Sequence, residues 1–210
     1  MRRTTACCAS WTYLAGLIHL GEDGNNRFIA HAADKGGTAM PEIFVTSDHH
    51  FGHREIIDYE SRPFADAGEM DAAMIQRWNE AVSEGDTVYH LGDFSFGGLG
   101  RTREIVGALN GYKHLILGNH DRDRSREWWL EAGFDEVHEQ PIVYRGFYFL
   151  SHEPMYMNRS MPYLNVHGHI HGQKYAGRSY FNVSVEHWDY RPVSFAQVLD
   201  FVASGEDRST

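Results

Sequence analysis

The sequence predicts an α/β layered domain built on a mixed sheet or on two stacked sheets. Two patterns carry that prediction: early in the chain short β-prone apolar runs alternate with helical stretches, and from residue 142 onward strand candidates dominate. Composition is the third observation. With 42% hydrophobic and 23% charged residues in a chain of 210, the mix is that of one ordinary globular domain, which excludes disorder along most of the length.

Taken in order, Ile43-Phe44-Val45 marks the first strand, over 42–47, and a short helix covers 54–59. The clearest helix spans 69–82, where Met70, Ala73, Met74, Arg77, Trp78 and Val82 recur at three-and-four spacing and form one face. Strands over 86–91 and 114–118 flank a helix over 101–109. A further helix covers 124–132, and its Trp128-Trp129 pair packs it on the sheet. Strands over 142–151, 163–167 and 180–185 follow, and a helix over 194–203 comes last. Residues 1–39 read differently: Gly21, Gly24, Gly36 and Gly37 stand among polar interruptions with no long periodic pattern. They are expected to form a partly disordered N-terminal extension to a domain over 40–210. Met40, directly ahead of Pro-Glu and the first strand, is a candidate start.

Charge and cysteine content narrow the function classes. Nineteen Lys and Arg against 29 Asp and Glu leave a net charge of -10, which disfavours a surface built to follow a nucleic-acid backbone. The mean hydropathy of -0.48 suits a water-soluble chain, and no apolar run approaches the roughly 20 residues of a membrane span. Cys7 and Cys8 are the only cysteines, and sequence neighbours seldom reach disulfide geometry. A signal-peptide outline from Arg2 and Arg3 into Ala6–Leu20 is broken by Trp11, Thr12, Tyr13 and His19, so a cytoplasmic location is expected. The unusual count is 14 histidines, which directs the search for chemistry.

The histidines and carboxylates gather just after the strands, where α/β proteins build their sites. Ser47-Asp48-His49-His50-Phe51-Gly52-His53 follows the first strand, Gly92-Asp93 the second, Gly118-Asn119-His120-Asp121 the third, and Ser151-His152 and Gly168-His169-Ile170-His171 come later. Carboxylate, amide oxygen and imidazole together suit divalent cations of intermediate hardness, and two such ions need a shared ligand. If the strand ends are extended, residues two apart face one way, so Asp48 with His50 and His169 with His171 converge while His49 points away. Any one of these motifs arises often by chance; five in one order do not.

In that order the motifs resemble the calcineurin-like metallophosphoesterase family, whose signature is D-x-H, G-D, G-N-H-[DE], a lone H and G-H-x-H. Asp48 to His50, Gly92-Asp93, Gly118 to Asp121, His152 and Gly168 to His171 supply every part. The resemblance covers about 40 to 203. The small bacterial and phage branch looks nearest, because Thr46–His53 and the stretches Asn182–Glu186 and Tyr190–Ser194 are also similar to its members. The resemblance implies two packed mixed sheets flanked by helices and a site for two divalent ions drawn from manganese, iron, zinc, cobalt or nickel, manganese first. Asp48, His50 and His171 would hold one ion and Asn119, His152 and His169 the other, with Asp93 bridging. His120 would be the catalytic residue, acting as electrophile or general acid toward a phosphate that a metal-bound hydroxide attacks.

The implied activity is hydrolysis of small phosphodiesters such as cyclic nucleotides, with phosphodiesters ahead of phosphomonoesters because no clear arginine clamp for a dianion is present. The expected partner is a small phosphate-ester substrate. His53, Arg122 and Arg124 are candidate phosphate contacts, weighed against a helix-opening role for His53 and surface pairs of the arginines with Asp123 or Glu127. Some relatives support the catalytic histidine with an Asp shortly after G-D, whereas Phe94-Ser95-Phe96 stands here, leaving the partner of His120 open. His167 is expected behind the ligands rather than among them. Two other readings are a nuclease acting on DNA or RNA ends, disfavoured by charge, and a non-catalytic scaffold, disfavoured because no ligand is missing. A closed structural zinc site is disfavoured because the cysteines lie outside the motif region.

Overall fold

A computed structural model of the chain describes residues 40–158, 160–175 and 177–204. The expected extension over 1–39 lies outside the described residues. Among the described residues nine strands form two mixed sheets. The first sheet contains β1 (Ile43–Thr46), β2 (Thr87–His90), β3 (Tyr112–Ile116), β4 (Glu136–His138) and β9 (Val193–Ser194), in the order β4-β3-β2-β1-β9. All its pairings are parallel except β1 with β9. The second sheet contains β5 (Ile142–Tyr144), β6 (Tyr148–Leu150), β7 (Leu164–His167) and β8 (Tyr180–Asn182) in sequence order, antiparallel only between β5 and β6.

The period of two in an extended strand divides the core. Phe44, Val88, Leu115 and Leu117 face helices, and Val45, Leu91 and Ile116 pack instead with Tyr148, Leu150, Leu164 and Val166 of the other sheet. On the helix side lie α1 (Glu55–Tyr59), α2 (Ala67–Ala81), α3 (Leu99–Ala108) and α4 (Arg126–Glu131). Met70, Met74 and Trp78 of α2 are fully buried there, each side chain worth roughly 1.5–3 kcal/mol of burial. Asp66 caps α2 by accepting from Glu69 N–H, which starts the helix two residues ahead of the expected 69. Helix α5 (Phe195–Ser204) packs Phe195, Val198 and Phe201 with the core between the sheets.

Three elements differ from the sequence expectation. The single strand expected over 142–151 is the hairpin β5–β6, because Arg145 (φ 50°) and Gly146 (φ 69°) both turn left-handed and Phe147 N–H closes onto Tyr144 O at 3.2 Å. Strands β4 and β9, three and two residues long, are too short to show alternation. Strands β1, β2 and β3 run parallel, so the loops that leave them emerge along one edge. A parallel bridge between Ser47 and Ser184 brings the end of β1 to the chain leaving β8. Among the described residues no helix is long and apolar enough to cross a membrane.

Candidate metal centre

At that edge the structure gathers the donors read from the sequence into two adjoining groups. Donor atoms of Asp48, His50 and His171 lie within 4.8 Å of one another, as do those of Asp93, His152 and His169. The groups meet on one carboxylate oxygen: Asp93 Oδ2 is 3.5 Å from His50 Nε2 and 3.4 Å from His152 Nε2. Asn119 Oδ1 joins the second group, 2.8 Å from His152 Nε2, and His169 Nδ1 is 3.1 Å from the same nitrogen.

The convergence does not come from extended strand ends. Asp48 (φ 62°), His50 (54°), Asp93 (57°), His169 (71°) and His171 (47°) are all left-handed, a conformation that costs a non-glycine residue on the order of 1–3 kcal/mol. Neighbouring loops hold these residues there. Asp48 N–H donates to Gly92 O and His50 N–H to Asp93 O, each at 3.0 Å, and His169 N–H donates to Asp48 Oδ2 at 2.9 Å. Gly118 and Gly168 allow the close approach: a Cβ on the first would overlap the Asp93 carboxylate, and on the second the Ser47 hydroxyl and Asp48 carboxylate. His49 points away from the donors. It is buried in the helix-side core, 2.9 Å from His90 Nε2 and stacked on Phe51.

The donor atoms fit cations better than they fit each other. Asp48 Oδ2 receives Ser47 Oγ, Ser184 Oγ and His169 N–H, whereas Asp48 Oδ1 and His50 Nε2 are buried, 4.0 Å apart and without a hydrogen-bond partner. His152 Nδ1 donates to Leu91 O at 2.8 Å, which leaves the Nε2 lone pair aimed at Asn119, Asp93 and His169. In the protein alone His152 answers by holding a second proton. Burial lowers its pKa, but the Asp93 hydrogen bond and the Asp48 and Asp93 charges outweigh this and raise it to about 9. Burial likewise works to raise the Asp93 carboxyl, and His152, with His50 and the His120 N–H, brings it down to about 2.

Two polar residues behind the donors are not among the expected site residues, although Glu186 ends one of the stretches that resemble the family. The Arg62 guanidinium is fully buried and donates to Asp48 O at 2.7 Å, His49 O at 2.9 Å and Glu186 Oε1 at 2.5 Å. Glu186 Oε1 in turn sits 3.1 Å from His171 Nδ1, a carboxylate partner that leaves Nε2 as the nitrogen free to ligate. Asp121 joins the loops after β2 and β3, accepting from Asp93 N–H at 2.6 Å, Gly118 N–H at 2.9 Å and Phe94 N–H at 3.1 Å. Burial, then the Asp93 charge, raises the Asp121 carboxyl to about 6.

His120 and His53 border the donors. His120 N–H donates to Asp93 Oδ1 at 3.0 Å, and its half-exposed ring has Nε2 4.0 Å from Asp93 Oδ2. His53 stacks on Phe96 with 3.9 Å between centroids and has Nδ1 3.3 Å from His50 Nδ1. The two arginines are otherwise engaged. Arg122 makes a two-pronged pair with Glu153 at 2.8 and 3.0 Å instead of an expected neighbour, whereas Arg124 has the expected Asp123 pair at 3.9 Å and also donates to Ser95 O at 2.8 Å with its guanidinium over Trp128. His167 is buried with Nδ1 2.9 Å from Gly168 O, behind the donors as expected, and burial lowers its pKa to about 4.

A family model described as calcineurin-like phosphoesterase matches residues 41–198. An uncharacterized protein of Methanocaldococcus jannaschii, MJ1445, is 35% identical over 183 residues, covering 80% of this chain and 95% of that protein. The Gene 66 protein of Mycobacterium phage L5 is 28% identical over 78% of this chain and 95% of its own length. The crystal structure of AQ665 from Aquifex aeolicus, a protein of unknown function, superposes with a TM-score of 0.60 at 27% identity, covering 77% of this chain and 99% of that one.

Proposed function

Because the chain belongs to the calcineurin-like phosphoesterase family, whose chemistry is metal-dependent phosphoester hydrolysis, we propose that it hydrolyses small phosphodiesters at a pair of divalent cations sharing Asp93. The observation that carries this reading is the position of Asp93 Oδ2 between His50 Nε2 and His152 Nε2. Asp48, His50 and His171 would hold one ion and Asn119, His152 and His169 the other. Manganese is the first choice, since a mixed carboxylate, amide and imidazole set accepts it. Bound divalent cations supply Lewis acidity toward phosphoryl oxygens and lower the pKa of water toward neutrality.

The chain's own part is positioning and proton handling. Arg62 and Glu186 fix Asp48 and His171 from behind, and the His152 Nδ1 bond to Leu91 O sets its tautomer. His120, tethered through its backbone to Asp93 Oδ1, presents its ring at the edge of the donors, where it can donate a hydrogen bond to a phosphoryl oxygen or a proton to the leaving oxygen. Replacing it with alanine should lower kcat by about 10²-fold or more. Metal content, measured alongside, should stay at the wild-type level; a parallel fall would make His120 a ligand.

Two features support a diester. Arg122 is already paired with Glu153, so no free guanidinium fork stands ready for a dianion among these residues. Phe96, partly exposed and stacked on His53, offers a flat apolar wall for an aryl or base substituent. The experiment is the ratio of kcat/KM for bis(p-nitrophenyl) phosphate to that for p-nitrophenyl phosphate with manganese. A ratio above one is expected, and one clearly below it removes the diester preference while leaving the hydrolase.

A further inference from the structure

Farther back along the first sheet, three residues with no motif of their own come together. His114 on β3 pairs in register with Glu136 on β4, and His138, two residues on, shares the Glu136 face. His114 Nδ1 is 3.3 Å from His138 Nε2, and Glu136 Oε2 is 3.6 Å from the first nitrogen and 3.7 Å from the second. The rings are held in that pose. Tyr89 stacks on His114 at 4.3 Å, the two imidazoles lie 13° from parallel, and Tyr112 Oη donates to Glu136 Oε1 at 3.2 Å, which leaves Oε2 to the rings.

Hydrogen bonding accounts for only one edge of this triangle, between the two imidazoles. A carboxylate 3.6 to 3.7 Å from both nitrogens is beyond hydrogen-bond range, and the facing imidazole nitrogens can share one proton at most. The spacing is that of ligands around an ion. Metal–ligand bonds of about 2.0–2.2 Å in a tetrahedron put ligand atoms about 3.3–3.6 Å apart, close to all three observed edges. Burial lowers the pKa of both histidines, against the opposing Glu136 charge, and so favours the neutral form that ligates. His138 and Glu136 are partly open to solvent, which leaves room for a water as fourth ligand.

We propose that His114, Glu136 and His138 form a further site for a divalent transition cation of the zinc, cobalt or nickel class. It is separate from the Asp93 centre, since His114 precedes Gly118 by four residues of β3 and the chain leaving it, on the order of 13 Å. The ion clips the short edge strand β4 to β3. Its work is structural, so turnover does not depend on it.

The test counts zinc bound by the full chain, stripped with chelator and dialysed against micromolar zinc, for the wild type and for the variants Glu136→Gln and His114→Gln/His138→Gln. The wild type should hold one zinc per chain more than the double variant, and Glu136→Gln should bind that zinc about tenfold or more weakly. Cobalt substitution should give the wild type a tetrahedral visible band that the double variant lacks. Manganese-supported turnover should match in folded samples of all three. Equal zinc content in the wild type and Glu136→Gln at every zinc concentration, with the same cobalt spectrum, would overturn the site; Glu136 is half exposed, so that variant tests the proposal even if the double variant fails to fold.

Discussion

Asp93→Asn is expected to lower kcat by at least about 10³-fold at saturating manganese, more than the loss of a single charge-stabilising donor. Asparagine keeps the shape of the side chain and can still accept the His120 N–H, so the fold should survive. It loses the negative charge that lies 3.5 Å from His50 and 3.4 Å from His152, where the two donor groups meet. Both groups then lose anionic character together. In the metal-free protein the substitution also removes the hydrogen bond that raises the His152 pKa, so that ring should titrate lower. Steady-state kinetics with circular dichroism on the same sample make the measurement. A rate within a few-fold of wild type would exclude a carboxylate shared between two cations.

Arg62→Leu should have the largest effect on stability, a loss of about 3–5 kcal/mol of unfolding free energy in a urea titration. Leucine fills part of the volume but leaves the Glu186 carboxylate buried without its cation and the Asp48 and His49 carbonyls without their donors. Those carbonyls belong to the segment in which Asp48 and His50 are held left-handed, so the strain stored there loses one of its restraints. Arg62→Lys should fall between leucine and wild type, because an ammonium keeps the charge and cannot span both carbonyls and Glu186 in the planar geometry of a guanidinium. A change below about 1 kcal/mol for Arg62→Leu would mean that Arg62 does not brace the site.

The sequence carries the positions of the donor residues more plainly than the geometry that brings them together. Asp48, Asp93, Asn119 and His152 are legible because each stands just past an apolar strand, and strand ends are readable from local hydrophobicity. The left-handed backbone at Asp48, His50, Asp93, His169 and His171 is not legible, because alternation along an extended end would also have placed Asp48 beside His50. Arg62 and Glu186 meet across 124 residues and their ion pair exists only after folding. The same holds for His114 and His138. Strand β4 is too short to announce itself, and without it neither histidine has a visible partner. Arg122 lies beside the His120 turn in sequence, yet it pairs with Glu153 on the loop after β6.

Hydrolysis should depend on cations held by the residues around Asp93. The most direct test of this follows hydrolysis of bis(p-nitrophenyl) phosphate by the chelator-stripped full chain as manganese is returned, with Asp93→Asn in parallel. Stripped protein should be inactive, manganese should restore turnover in the wild type, and the same manganese should restore almost none in Asp93→Asn. Hydrolysis by the stripped protein at the rate of the metal-loaded protein would mean that turnover does not depend on cations around Asp93.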